Sequence, residues 1–193
     1  RTHRYGDFLD IAAAITGRAP AAGLHLDTAR HATIVFDVSA VPAKLLDLDV
    51  AYPVIGHHIG KLVGSAVPVI VGAPAGLSED RLKAIGSAGA SSGSLAMFHV
   101  VGSTPEAPDL ETACGSQVPT DRHMITAADL RTARDQLTTS TNAKLGAISL
   151  GTPHYSVPEF ARLIELLGDR RIHPNIHAYV NTGRSVAHEL DLR

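Results

Sequence analysis

Short apolar runs rich in β-branched residues alternate along this chain with segments whose apolar positions recur about every 3.6 residues. That alternation limits the fold more than any other feature. The runs Ala32 to Val38, Val67 to Val71, Leu95 to Val101, Ala147 to Leu150 and Ile176 to Val180 read as strands. The last four are short and mostly apolar, as strands covered on both faces are. Helical periods between strands imply βα units, so the expected architecture is α/β, a mainly parallel sheet with helices on both faces.

Several helices carry their own start signals. Thr126-Ala127-Ala128-Asp129 and Ser156-Val157-Pro158-Glu159 are capping-box sequences, in which a hydroxyl and a carboxylate three residues apart satisfy amide groups of the first turn. Leu130, Ala133 and Leu137 line one face of the first of these helices. Phe160, Leu163, Ile164 and Leu167 form a predicted buried stripe on the second, with Gly168 as its C-cap. A further helix carries Phe8, Ile11, Ala12 and Ile15 on one side and ends near Gly17, and another begins at Ser78 and buries Leu82 and Ile85. No repeat recurs at a fixed period. The stretch from Thr104 to Pro119 reads as an excursion between two strands, and residues 1–193 partition most simply as a single lobe.

Composition removes several classes of function. A formal charge of -2 provides no basic footprint for nucleic acid or an anionic membrane surface. No apolar run reaches the roughly 18 to 20 residues of a membrane span, and no signal peptide opens the chain, so a cytoplasmic location is expected. One cysteine, Cys114, rules out an internal disulfide and reads as a solvated loop thiol. The abrupt, Met-less start at Arg1 and the end on a helical pattern suggest a piece of a longer chain.

The residues able to carry chemistry each have two readings. Gly56, Gly60 and Gly64 recur every four positions in an apolar helix, a pattern expected for close helix-to-sheet packing. Lys61 within it either extends its amine to the surface or meets an acidic substrate. His57 and His58 are adjacent and point in different directions on a helix, which argues against a shared metal. The run from Gly86 to Gly93 reads as a helix end and tight turn, or as a site where Ser91 and Ser92 contact an anion or hydroxyl. It lacks the lysine of a phosphate-cradling loop and precedes a strand, which makes it a weak signal for nucleotide binding. Gly151-Thr152-Pro153-His154-Tyr155-Ser156 follows a strand and opens a capped helix, where ligands of α/β sheets bind. His154 is there either a substrate contact or a structural histidine. Asn181-Thr182-Gly183-Arg184-Ser185 occupies the equivalent place after the last strand. There is no defensible Ser-His-Asp order and no His-x-x-x-His zinc pair on a helix.

The same segments carry a family resemblance. Arg1-Thr2-His3-Arg4-Tyr5-Gly6-Asp7-Phe8, Ala14-Ile15-Thr16-Gly17-Arg18 and Gly23-Leu24-His25-Leu26-Asp27 are followed by Ile59-Gly60-Lys61-Leu62-Val63-Gly64. Then come Ala90-Ser91-Ser92-Gly93, the stretch from Phe98 to Ala107, Gly151 to Ser156, and Thr182-Gly183-Arg184. In this order they resemble the central part of the large catalytic subunit of the aconitase X family, over nearly the whole chain. The resemblance implies an aconitase-like lobe of a hydro-lyase, a dehydratase of small hydroxy acids such as cis-3-hydroxy-L-proline or phosphorylated mevalonate. The Gly-Thr-Pro-His sequence favours the hydroxyproline-like branch. It also implies iron or an iron–sulfur cluster in the complete enzyme, with ligands mostly outside this chain. Thr152 stands where cluster-bearing relatives have a cysteine. A small subunit or domain, which provides a serine base, is the implied partner. Arg1, Arg4, Lys61, Ser91, Ser92 and His154 become the implied substrate-side residues, and this segment alone is expected to be inactive. The alternative is a truncated, non-catalytic homologue that serves assembly.

Overall fold

A computed structural model describes residues 7–115, 119–140 and 144–191. The chain divides into two compact units, the first closing at Leu137 and the second opening at Thr138, where the sequence had implied one lobe. The two have separate sheets.

The first unit begins with helix α1 (Asp7–Thr16) and two 3-10 turns, Gly23–His25 and Asp27–Ala29. It continues through β1 (Ile34–Asp37), α2 (Ala43–Leu46), α3 (Ala51–Leu62), β2 (Pro68–Val71) and α4 (Glu79–Ser92). After these come β3 (His99–Val100), α5 (Leu110–Cys114), β4 (Arg122–Met124) and α6 (Ala127–Gln136). The four strands pair in the order β3-β2-β1-β4, all parallel, so the chain reverses its direction of travel across the sheet at β1.

Consecutive strand residues face opposite sides, and both sides are covered. Phe36 and Ile70 join Tyr52, Ile55 and Ile59 of α3, Ile85 of α4 and Leu130 of α6 in one core. Val35 and Val69 pack on Ala113 and Cys114 of α5 in the other. Each large side chain removed from water in this way contributes about 1.5 to 3 kcal/mol. Helices on both faces and a parallel sheet agree with the expectation. Strand β4 was not anticipated, because Arg122-His123-Met124 is exposed and has no apolar run. Its backbone nevertheless completes the β1 ladder, and His123 stacks on Phe36 with ring centroids 5.2 Å apart.

The glycines of α3 are used differently from the prediction: they meet a helix, not the sheet. A Cβ on Gly56 would strike the Ile85 carbonyl of α4, and one on Gly60 would strike the Gly89 carbonyl and the Ser92 hydroxyl. A Cβ on Gly93, just past α4, would collide in turn with the Gly60 carbonyl, and one on Gly89 would strike the Leu95 side chain and crowd the Gly56 carbonyl at 3.2 Å. Two parallel helices are thus in backbone contact at matching intervals of four. This contact explains why residues 86 to 92 continue α4 rather than turning: only a helix presents small residues at that spacing. Their amides lie within helix α4, so the run is no phosphate-cradling loop.

Cys114 also departs from the expectation of a solvated thiol. It lies in α5 with 6% of its surface exposed, and burial pushes its thiol above the ordinary range. The apolar side of α1 is uncovered, with Phe8 85% and Ile15 80% exposed.

The second unit is a βα unit built from β5 (Ala147–Tyr155), α7 (Val157–Leu167), β6 (His177–Thr182) and α8 (Arg184–Asp191), with β5 and β6 parallel. Both anticipated capping boxes are present, at Thr126 in the first unit and at Ser156 here. The α7 stripe is less covered than expected. Phe160, Leu163 and Leu167 are half-buried and Ile164 is 65% exposed.

Two measurements follow. Replacing Gly60 by Ala should force α3 and α4 apart and lower stability by about 1 to 3 kcal/mol, read from the urea midpoint at constant m-value. His58, partly desolvated beside His57, His123 and Asp129, is held below its ordinary value, chiefly by burial. The folded chain therefore resists a proton that the unfolded chain accepts, and stability declines as pH falls below about 6.5. His58→Gln should flatten that slope in a series of Tm against pH.

Candidate functional site

The first unit has an open cavity of about 580 Å³ along the outer edge of β3, within the size range of small-molecule sites. Leu95, Met97 and Phe98 form an apolar wall, α4 contributes Gly86 and Ala90, and Arg30, His99, Thr104 and Glu106 provide the polar groups. The segment 95–98 was expected to be strand. Only His99 and Val100 pair with β2, so the preceding residues are free to line the cavity. Gly86 matters for shape, because the Phe98 ring lies 3.1 Å from where a Cβ would sit.

Arg30 and Glu106, 76 residues apart, meet side by side. Nε donates to both carboxylate oxygens at 2.7 and 3.0 Å, and Nη2 donates at 2.6 Å. Nη1 donates to the Leu24 carbonyl at 2.8 Å. The guanidinium is 11% exposed and the carboxylate 39%. The hydrogen bond that Arg30 donates to Glu106 raises the guanidinium pKa above its ordinary value, so Arg30 stays charged. His99, 2% exposed, places Nε2 at 2.8 Å from the Arg30 carbonyl oxygen. A carbonyl only accepts, so Nε2 carries the proton and fixes the backbone from which Arg30 extends. The Thr104 hydroxyl accepts from the Val100 amide at 3.0 Å and closes the turn that returns the chain to Glu106.

A second ion pair stands where β1 ends, beside β4. Asp37 is 5% exposed and accepts from Arg122 and from the Ser39 amide at 2.9 Å. Burial alone would push this carboxyl up, but the Arg122 and Ser39 hydrogen bonds prevail and hold it below its ordinary value.

The residues singled out from the sequence do not form one cluster in the first unit. Arg1 and Arg4 lie outside the described residues. Lys61 is exposed near the end of α3. Ser91 is exposed, and its hydroxyl donates to the Ser87 and Ala88 carbonyls at 2.9 and 3.1 Å. The Ser92 hydroxyl donates to the His57 carbonyl at 3.0 Å, which ties α4 to α3. His154 belongs to the second unit. There the expected loop is a continuation of β5 containing a cis Thr152-Pro153 bond, and His154 is an exposed strand residue. Arg30 was missed altogether. His99 and Glu106 lay within the resembling stretch but had no separate signal, because a single histidine or glutamate near a strand is ordinary.

Residues 32–135 match the family model for the aconitase X second domain. The chain belongs to the aconitase X family. It is 40% identical over 187 residues to the cis-3-hydroxy-L-proline dehydratase of Pseudomonas aeruginosa, covering 96% of this chain and 32% of that protein. It is 34% identical over 186 residues to the phosphomevalonate dehydratase large subunit of Thermococcus kodakarensis, covering 96% of this chain and 45% of that subunit. The crystal structure of aconitase X from the latter organism, in its holo form, superposes with a TM-score of 0.82 at 32% identity, covering all of this chain and 47% of that one. The chain therefore spans about a third to under half of these relatives.

An iron–sulfur centre, implied by the resemblance, does not fit the residues in hand. Among the described residues no group of three or more His, Cys, Asp or Glu side chains is placed to hold a metal. The sole cysteine is buried against the sheet, and Thr152 offers a hydroxyl. Cluster thiolates would have to come from elsewhere. No helix among the described residues is long and apolar enough to cross a membrane.

The paired charges carry a stability prediction. Arg30→Lys keeps the charge but loses the side-by-side bonds and the reach to Leu24. It should cost about 1 to 3 kcal/mol, measured by urea unfolding near pH 7.

Proposed function

We propose that this chain is part of a hydro-lyase of the aconitase X type acting on a small hydroxy acid of the cis-3-hydroxy-L-proline kind. The pocket beside β3 would form part of the substrate-side wall. The observation that carries the reading is similarity to a hydroxyproline dehydratase across 96% of the chain. A small-molecule cavity whose wall holds an ionised pair is consistent with it. Phosphomevalonate dehydratase large subunits are similar over the same span, so the hydroxyproline assignment rests on the higher identity and on the Gly151-Thr152-Pro153-His154 sequence.

Dehydration of a β-hydroxy acid removes the proton beside the carboxylate and expels the neighbouring hydroxyl as water. Positive charge at the carboxylate favours the first step, because negative charge grows there as the proton leaves. Arg30 has the chemistry for that role. Arg1, Arg4, Lys61, Ser91, Ser92 and His154 are proposed as further substrate-side residues. The proton-accepting serine, a small partner subunit or domain, and iron or an iron–sulfur group are assigned to parts outside this chain, in a cytoplasmic enzyme.

The full gene product, combined with its small partner and iron, should convert cis-3-hydroxy-L-proline to its dehydrated product, whereas the 193-residue chain alone should not. Absence of turnover with both hydroxyproline and phosphomevalonate would overturn the dehydratase assignment.

A further inference from the structure

We infer that the outer edge of β6 in the second unit is a pairing surface, occupied by a further parallel strand from the remainder of the same gene product. The inference concerns how this sheet is completed and does not rest on the dehydratase reading.

Parallel sheets are stable when both faces are covered, and an isolated two-stranded sheet is marginal in water at best. The second unit has neither form of support. Its sheet consists of β5 and β6, and among its described residues Gly151 alone is buried. Ile148, Ile164 and Tyr179 are exposed.

The backbone shows which groups point outward. The His177 amide donates to the Gly146 carbonyl at 3.1 Å, and His177 stands opposite Ala147. Successive residues of a strand direct their backbone groups to alternate edges, so His177, Tyr179 and Asn181 bond toward β5. Ala178 and Val180 turn N–H and C=O away from it, and Ala147 does the same on β5. Among the described residues no strand pairs with either outer edge, and such a row of groups is a template for another strand.

Two features select β6. β5 carries Pro153, which has no N–H to give, and its register with β6 shifts between Leu150 and Tyr155. Prolines and bulges belong to edge strands, and β6 has no proline and no bulge. In addition, α8 follows β6 as α7 follows β5, and a strand leading into a helix is how a chain delivers its next parallel neighbour. The same topology selects the occupant. A second copy related by a two-fold axis would lay β6 antiparallel to itself and break the parallel pattern. The hydroxyproline dehydratase, of which this chain covers 32%, has ample further sequence to supply a strand.

Amide hydrogen exchange in the full gene product, resolved to single residues, tests this. Ala178 and Val180 should exchange within about tenfold of Tyr179 and Asn181, all four far more slowly than an unstructured peptide. Their protection should persist over a roughly hundredfold dilution followed by light scattering. Proline variants compare the two edges, because Ala178→Pro and Ala147→Pro each remove an outward N–H and spare the β5–β6 ladder. Ala178→Pro should lower Tm by several degrees, and Ala147→Pro should leave it nearly unchanged. The inference is overturned if Ala178 and Val180 exchange freely while Tyr179 and Asn181 stay protected, or if none of the four is protected. Protection that fades as a dimer dissociates would assign the edge to a second copy, and greater damage from Ala147→Pro would assign the added strand to β5; either result overturns it. None of these measurements reads turnover, so failure here leaves the dehydratase assignment standing.

Discussion

The backbone contact between α3 and α4 is the constraint on which the rest of the first unit depends. Side chains normally keep helix axes 8 to 10 Å apart, and here glycines on both helices remove that spacer at matched positions. The close approach lets both helices cover the same side of a short sheet, with Ile55, Ile59 and Ile85 filling one core. It also fixes the rotation of α4, so that Gly86 and Ala90 face away from α3 and line the β3 cavity. A wider spacing would move that wall.

Ionic contacts then join segments that are distant in sequence. Arg30 and Glu106 link the loop before β1 to the turn after β3, and Asp37 and Arg122 link the end of β1 to β4. Both pairs are partly shielded from water, where attraction between charges is stronger than at an open surface but desolvation opposes it. Additional partners lighten that opposition: the Leu24 carbonyl for Arg30 and the Ser39 amide for Asp37. These contacts fix which loops lie together at the ends and edges of the sheet, and the apolar core alone would not specify this.

Much of the architecture was legible from local signals. Thr126, Ser156 and Ser78 begin helices as their hydroxyls suggest, and the apolar runs mark β1, β2, β5 and β6. The extents of strands were less legible. β3 is short because Leu95 and Phe98 are used for packing rather than pairing, and an apolar run does not distinguish the two uses. β4 was hidden because its stability comes from backbone pairing and from stacking of His123 on Phe36, with no apolar pattern to announce it. The division into two units has no composition change at Thr138. The candidate site was the least legible part. Arg30 owes its place to a partner 76 residues away, whereas Ser91 and Ser92, conspicuous in a small polar run, spend their hydroxyls on backbone carbonyls.

The buried position of Cys114 gives the molecule an internal reporter. Its sulfur packs with Val35 and Val69 beneath α5, and the thiolate, the form that reacts with alkylating reagents, is disfavoured there. Labelling must await the lifting of α5 from the sheet, so its rate in native buffer tracks how often that face opens. With one such sulfur in the sequence, the signal comes from a single place and reports on the first unit alone.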